Sequence, residues 1–353
     1  MTDKQITKRK TEISILNVLF CLMVLVIHTL SLGMVELEKT SWQFMSVYVP
    51  WKLCSVAVYG FIFLSGVKLF LKFDRPFDAK VFYTKRVKSI LLPYVVAVTV
   101  YYLCFCSLGF YRLSPLVWLK FILLGNVASH FYFIVALAQF YLLMPLWRKI
   151  VAEVNPILAL GGALVINLLF WPSLRVLLDL GTVGQFTDRI LISYLFYWLA
   201  GCYIGRYYEK FTLAVCQNKI LLTLCFVFAT LGNLHFYYYT MYAGLSFGYL
   251  ELWQHFYLIS AIMFLYMVSL QIKEYKFAQS GLFRFLDRES YNIYLWHMLI
   301  LLAVEYVMRG ITVNIAFALI IRALFVSVGT ATALFCWEKV KRLKKPERTA
   351  GTT

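Results

Sequence analysis

Runs of about twenty apolar residues follow one another along almost the whole chain, and a chain patterned in this way has one solvent in which it can fold. Crossing the hydrocarbon core of a bilayer takes about twenty such residues in a helix. Roughly ten runs qualify: 13–32, 47–71, 90–110, 131–147, 156–172, 190–205, 220–239, 252–270, 291–308 and 311–337. Hydrophobic residues make up 62% of the 353 and charged ones 14%, against about 25% charge in an ordinary soluble domain. Because lipid cannot satisfy backbone N–H and C=O groups, the pattern predicts an all-α, polytopic transmembrane helical bundle of about ten spans. A soluble domain is excluded, and so is a disulfide scaffold. The eight cysteines, at 21, 54, 104, 106, 202, 216, 225 and 336, are scattered over apolar segments without the paired spacing of a zinc site, so they read as packing residues and no metal is expected.

A formal charge of +17 invites a nucleic-acid reading, which the placement of the charges removes. With the N-terminus inside, the loops assigned to the cytoplasm carry 25 of the 34 Lys and Arg residues, among them Lys4, Lys8, Arg9 and Lys10 ahead of the first run and six cations between the second and third. Seven (Lys39, Lys52, Arg112, Lys120, Arg175, Arg189 and Arg309) fall on or near the outer side, while Lys68 and Arg322 lie within spans. This asymmetry follows the positive-inside rule and puts both termini in the cytoplasm. The partner it implies is the lipid bilayer, and no nucleic acid is expected.

The first run is longer than a signal-peptide core and no small-residue cleavage site follows it, so it reads as a retained helix. Ser114 to Gly125 is too short to span and begins beside a proline, which suits an interfacial or re-entrant helix on the outer side. Residues 1–338 form one transmembrane unit without a visible internal repeat, and 339–353 a short basic cytoplasmic tail.

Within the first run stands His28. It lies fifteen residues past Ile13, which at ~1.5 Å per residue is about 22 Å from the inner face, in the outer half of the bilayer. A titratable side chain at such depth is costly and usually functional, although a histidine hydrogen-bonded between packed helices suits the same position.

Four blocks in order resemble the acyltransferase-3 family of bacterial membrane proteins: the opening helix with His28; GFIFLSG (Gly60 to Gly66) with its basic loop and YTKRVKSILLPY (Tyr83 to Tyr94); HFYFIVALAQFYLLMPL (His130 to Leu146); and SYNIYLWHMLIL (Ser290 to Leu301). The YWLAGCYIGRYYEK stretch (Tyr197 to Lys210) is a looser match. The short chain and the RVKSILLPY stretch look most like the branch that holds the poly-N-acetylglucosamine adhesion protein C and the enterobacterial-common-antigen O-acetyltransferase. Two positions depart from the family pattern. Its Arg eleven residues before the first-helix histidine is Asn17 here, and its Arg-x-x-Arg is half kept, as Arg86 with Ser89.

The resemblance implies a multi-pass protein of the bacterial inner or plasma membrane that moves an acetyl or similar acyl group from cytoplasmic acyl-CoA, acetyl-CoA foremost, to a hydroxyl of an extracytoplasmic glycan or cell-envelope acceptor. His28 would be the general base, since the thioester is already activated and an imidazole suits removal of the hydroxyl proton. Lys85, Arg86 and Lys88 could hold the phosphates of the donor, or serve only to set orientation. The intramembrane His297 and Arg322, twelve residues to either side of the turn at Arg309 and Gly310, would line the donor or acceptor tunnel with Asn17; an ion pair or hydrogen-bonded clamp involving Glu305 is the plainer account. Tyr237, Tyr238, Tyr239 and Trp253 offer aromatic faces to a sugar, or form an interfacial belt. An exporter of a glycan or small solute, or an inactive membrane scaffold, are the other readings. The acyl group, the acceptor and the oligomeric state are open.

Overall fold

The structure, a computed structural model, describes residues 10–178, 183–244, 250–311 and 314–343. Lys4, Lys8 and Arg9, residues 245–249 of the aromatic stretch and the tail from residue 344 lie outside the described residues. Those described contain sixteen α-helices and no strand. The first six are α1 Thr11–Glu36, α2 Trp42–Leu53, α3 Ala57–Phe70, α4 Ala79–Arg86, α5 Leu92–Ser107 and α6 Pro115–Leu124. There follow α7 Tyr132–Leu142, α8 Met144–Glu153, α9 Pro156–Leu178, α10 Leu195–Arg206 and α11 Tyr208–Gln217. The last five are α12 Lys219–Ala243, α13 Leu250–Ile272, α14 Gly281–Val307, α15 Ile315–Leu324 and α16 Thr330–Leu343.

Among the described residues six stretches are long and apolar enough to cross a membrane: α1, Trp42–Phe70, Ala79–Ser107, α12, α13 and Ile315–Trp337. A seventh is reached if α7 and α8 make one span, although their axes meet at 61°. Against about ten apolar runs the difference has local causes. The run 131–147 is cut at Leu143, with Pro145 in the first turn of α8, where a proline starts a helix but cannot continue one. The run 190–205 is α-helical only from Leu195. The run 291–308 is the second half of α14, whose first half carries Arg284, Asp287, Arg288 and Glu289.

Helix α1 is the pillar of the bundle, packed against α2, α3, α13, α14 and α15. The tightest pairing is that of α3 with α10, and its cause is the placement of glycine. A Cβ on Gly66 would lie 2.7 Å from the Trp198 carbonyl oxygen and 2.9 Å from the Cys202 nitrogen, and one on Gly205 would lie 2.6 Å from the Val67 carbonyl oxygen. Small residues let helix backbones meet where lipid supplies no hydrophobic drive. Trp198, buried in the same seam, stacks on Phe140 of α7 with ring centroids 4.6 Å apart. Two spans carry π-turns, Val87–Leu91 and Phe325–Gly329. Pro93, lacking an N–H, accompanies the first; the second opens three residues past Arg322.

Candidate active site

Three histidines from distant parts of the chain meet in the interior. The ring of His28 on α1 is 5.2 Å from that of His297 on α14 and 6.0 Å from that of His130, and the last two are 4.9 Å apart, centroid to centroid. His28 is half-buried, while His130 and His297 are 3% and 0% exposed. His130 stands in the turn before α7, which Gly125 makes possible. Helix α6 ends there in a left-handed residue with φ 62°, and a Cβ would lie 2.8 Å from the Phe131 carbonyl oxygen, so only glycine lets the chain fold back this closely.

Hydrogen bonds fix one of the three imidazoles. Nδ1 of His297 lies 2.8 Å from the Tyr294 carbonyl and 3.1 Å from that of Ile293, so it carries the proton and leaves Nε2 as an acceptor. That Nε2 and both ring nitrogens of His130 are buried without a hydrogen-bond partner.

Arg322 reaches the same place from behind. Its Nε donates to the Thr29 carbonyl at 3.1 Å, and Nη2 to the His28 carbonyl at 2.9 Å and to Ser31 Oγ at 3.1 Å. Ser31 Oγ in turn donates to the His28 carbonyl at 2.7 Å, and Nη1 pairs with Glu305. Arg322, paired with Glu305, thus braces the backbone that carries His28.

Below the histidines a cavity of about 780 Å³ opens between α1, α3, the π-turn region, α7 and α14. Lys10, Lys72, Lys85, Arg86 and Arg288 line its cationic end, near the helix ends that carry them, and Phe61, Phe133 and Tyr294 line its aromatic end. The aromatic end adjoins the histidine cluster, since the Tyr294 ring lies 5.1 Å from that of His130 and its hydroxyl donates to the His130 carbonyl. Arg86 faces Phe82 and Tyr141 at 5.3 and 5.2 Å from their ring centroids, its Nε buried without a hydrogen bond. Lys88 lies apart, with Lys80, Thr84 and Ser89 in a shallow depression on another side of α4 that shares Lys85 with the cavity.

Asn17 is a junction in the cavity wall. Its Nδ2 donates to Asp287 Oδ1 at 2.8 Å and to Ser290 Oγ at 2.6 Å, and its Oδ1 accepts from Lys68 Nζ at 2.7 Å. One uncharged side chain ties α1 to α3 and α14. Lys68 and His130 are two of the residues here to which sequence reasoning gave no role, as are Lys72 and Tyr294 of the cavity wall. For the first two the signals were a lysine inside an apolar run and a histidine opening an apolar block, both of which are function-bearing by default in a membrane.

The aromatic candidates divide among separate neighbours. Lys52 Nζ sits 3.2 Å above the centre of the Tyr237 ring and donates to Gln254 Oε1 at 2.7 Å. Tyr238 stacks on Tyr242 at 5.7 Å and donates to the Lys39 carbonyl. Tyr239 is 42% exposed, and Trp253 packs among Phe228, Phe236 and Phe256.

A helical bundle with several apolar spans defines a multi-pass membrane protein, here with buried imidazoles and a cationic cavity in its interior. The sequence profile of the acyltransferase-3 family, described as an acyltransferase domain, matches residues 11–337. The chain belongs to that family, and acyl transfer is the activity membership implies. Comparisons with curated proteins and with solved structures each returned no match.

Proposed function

We propose that the protein transfers an acetyl or similar short acyl group from cytoplasmic acyl-CoA to a hydroxyl of an extracytoplasmic glycan or other envelope acceptor, with His28 as general base. The observation that carries this reading is a cavity lined with cations from the basic helix ends and packed, through Tyr294, against the histidine cluster. Lys85, Arg86 and Lys72 suit the donor's phosphates, Arg86 through a fork of donors that matches phosphate oxygens. The acyl end then extends between Phe61, Phe133 and Tyr294 toward the imidazoles.

In the reaction the acceptor oxygen bonds to the acyl carbon, the carbon–sulfur bond breaks, and the proton that His28 removes ends on the departing sulfur. A positioned base of this kind contributes about 10²–10⁴ in rate. The Arg322 clamp holds the His28 backbone, so ring placement relies on little motion of α1. The basic loops support a topology with both termini in the cytoplasm, which gives the cavity access to cytoplasmic donor. The setting is the cell membrane of a bacterium, and the branch that holds the poly-N-acetylglucosamine and enterobacterial-common-antigen proteins is the one the chain resembles.

Incubating native membrane vesicles with acetyl-labelled CoA and following label into the glycan and lipid fractions tests the reading. Transfer is expected with the wild type, lost in His28→Ala and not restored in His28→Gln, which keeps hydrogen bonding but takes no proton. Full activity in His28→Gln would make His28 a structural link. No label transfer with any short acyl-CoA would leave the exporter and scaffold readings.

A further inference from the structure

His28 is one imidazole of three, and the other two have no structural task that accounts for their nitrogens. Buried polar atoms are almost always hydrogen-bonded. Here three nitrogens in two adjoining rings, Nδ1 and Nε2 of His130 and Nε2 of His297, are buried and lack a partner. The rings themselves are held firmly. His130 packs on Phe131 at 4.1 Å, Tyr294 at 5.1 Å and Tyr101 at 6.0 Å, while His297 is anchored through Nδ1. A fixed imidazole with free nitrogens is a proton carrier awaiting partners.

The three also differ in what they can touch. His28 keeps some exposed surface, whereas His130 is closed off and packs on the Tyr294 ring that lines the cavity. Of the three, His28 is thus the one left open to an acceptor, and a thioester arriving along the cavity meets the Tyr294 wall beside His130.

We propose that His130 is a second catalytic residue, which passes the acceptor's proton to the leaving sulfur, and that His297 is a positioning residue for the pair; this rests on the acyltransferase reading above. The hydroxyl proton moves to His28 as the acceptor oxygen bonds to the acyl carbon. The carbon–sulfur bond breaks, and the proton held on the His28 imidazolium passes to one nitrogen of His130 as the other nitrogen releases its proton to the CoA thiolate, the two ring centroids being 6.0 Å apart. All three imidazoles end neutral, and the products are the acylated acceptor and free CoA thiol.

The test uses the full chain in proteoliposomes with native envelope extract, and acetyl-, propionyl- and succinyl-CoA as donors. Thiol release is followed together with donor Kd and thermal stability. In His130→Gln we expect stability and Kd within about twofold of wild type and turnover lower by about 100-fold or more, the scale of acid–base catalysis. The double variant His28→Gln/His130→Gln should be no slower than the slower single one, as for residues that act as a unit. Added imidazole should restore part of the turnover of His130→Ala. His130→Asn serves as the second variant if Gln does not fold. Turnover of the Gln or Asn variant within threefold of wild type would overturn the proposal and leave the acyltransferase reading intact, and loss of donor binding in step with turnover would make His130 a wall of the cavity. Absence of thiol release and acyl transfer in the wild type with every donor would remove both.

Discussion

Asn17 shows how much one side chain can settle. The family pattern places an arginine at this position, and here the cation comes from α3 instead, as Lys68 held on Asn17 Oδ1 beside Asp287. Restoring the arginine alone would put two cations next to one buried carboxylate, an arrangement the interior disfavours. Asn17→Arg is therefore expected to lower the melting temperature, and Asn17→Arg with Lys68→Gln to recover it, with a coupling of ~1–3 kcal/mol in a double-mutant cycle. Additive losses in the two single variants would show that the positions do not share a charge. Arg86 and Lys88, two residues apart, give a second contrast. Arg86 lines the cavity and Lys88 does not, so Arg86→Ala should raise the Kd for acetyl-CoA about tenfold, a loss typical of a charge-assisted contact, while Lys88→Ala should leave it within about twofold. Equal effects in a titration of purified protein would return both to a role in orientation. At this scale His28 and His297 stand out in the sequence because each interrupts an apolar run. The role of His130 does not, because it depends on three segments more than a hundred residues apart folding onto one point, and hydropathy carries no such information.

At the scale of elements, glycine decides which helices touch. Gly66, Gly201 and Gly205 lie where α3 and α10 meet backbone to backbone, while Gly161 and Gly162 of α9 have nothing within 4 Å of an added Cβ. Gly66→Val is expected to force α3 and α10 apart and destabilise the protein by ~2 kcal/mol or more, in the range of overpacked interiors. Gly161→Ala should be neutral or stabilise by up to about 1 kcal/mol, the helix-propensity difference between the two residues. Detergent unfolding of the two variants compares them directly, and similar behaviour of both would deny the close approach its importance. The helices themselves are legible from apolar periodicity and length. Their breaks are harder to read, since Leu143 and the late start of α10 at Leu195 arise from local backbone geometry that composition averages away. The charged first half of α14 has the opposite effect, hiding a 27-residue helix behind an apolar run of eighteen.

For the whole molecule, everything assigned to donor and acceptor depends on which end of the cavity faces the cytoplasm. The cationic end is built from Lys10 ahead of α1, Lys72 after α3, and Lys85 and Arg86 in the last turn of α4, which are the segments the positive-inside rule holds in the cytoplasm. Single cysteines placed at Asp78 and at Lys276, in a background lacking the eight native ones, should resist an impermeant thiol reagent in intact cells and react once the membrane is opened. Cysteines at Lys39 and Tyr242 should react in intact cells. These positions sample four separate segments, so the motion of any one of them cannot reverse the outcome. Reaction at Asp78 and Lys276 in intact cells, with protection at Lys39 and Tyr242, would turn the cationic mouth outward and give its phosphate-binding chemistry to an external anion. His28 would then lie nearer the cytoplasm, and the acyl group could no longer pass from an inner donor to an outer acceptor by the path drawn through His130.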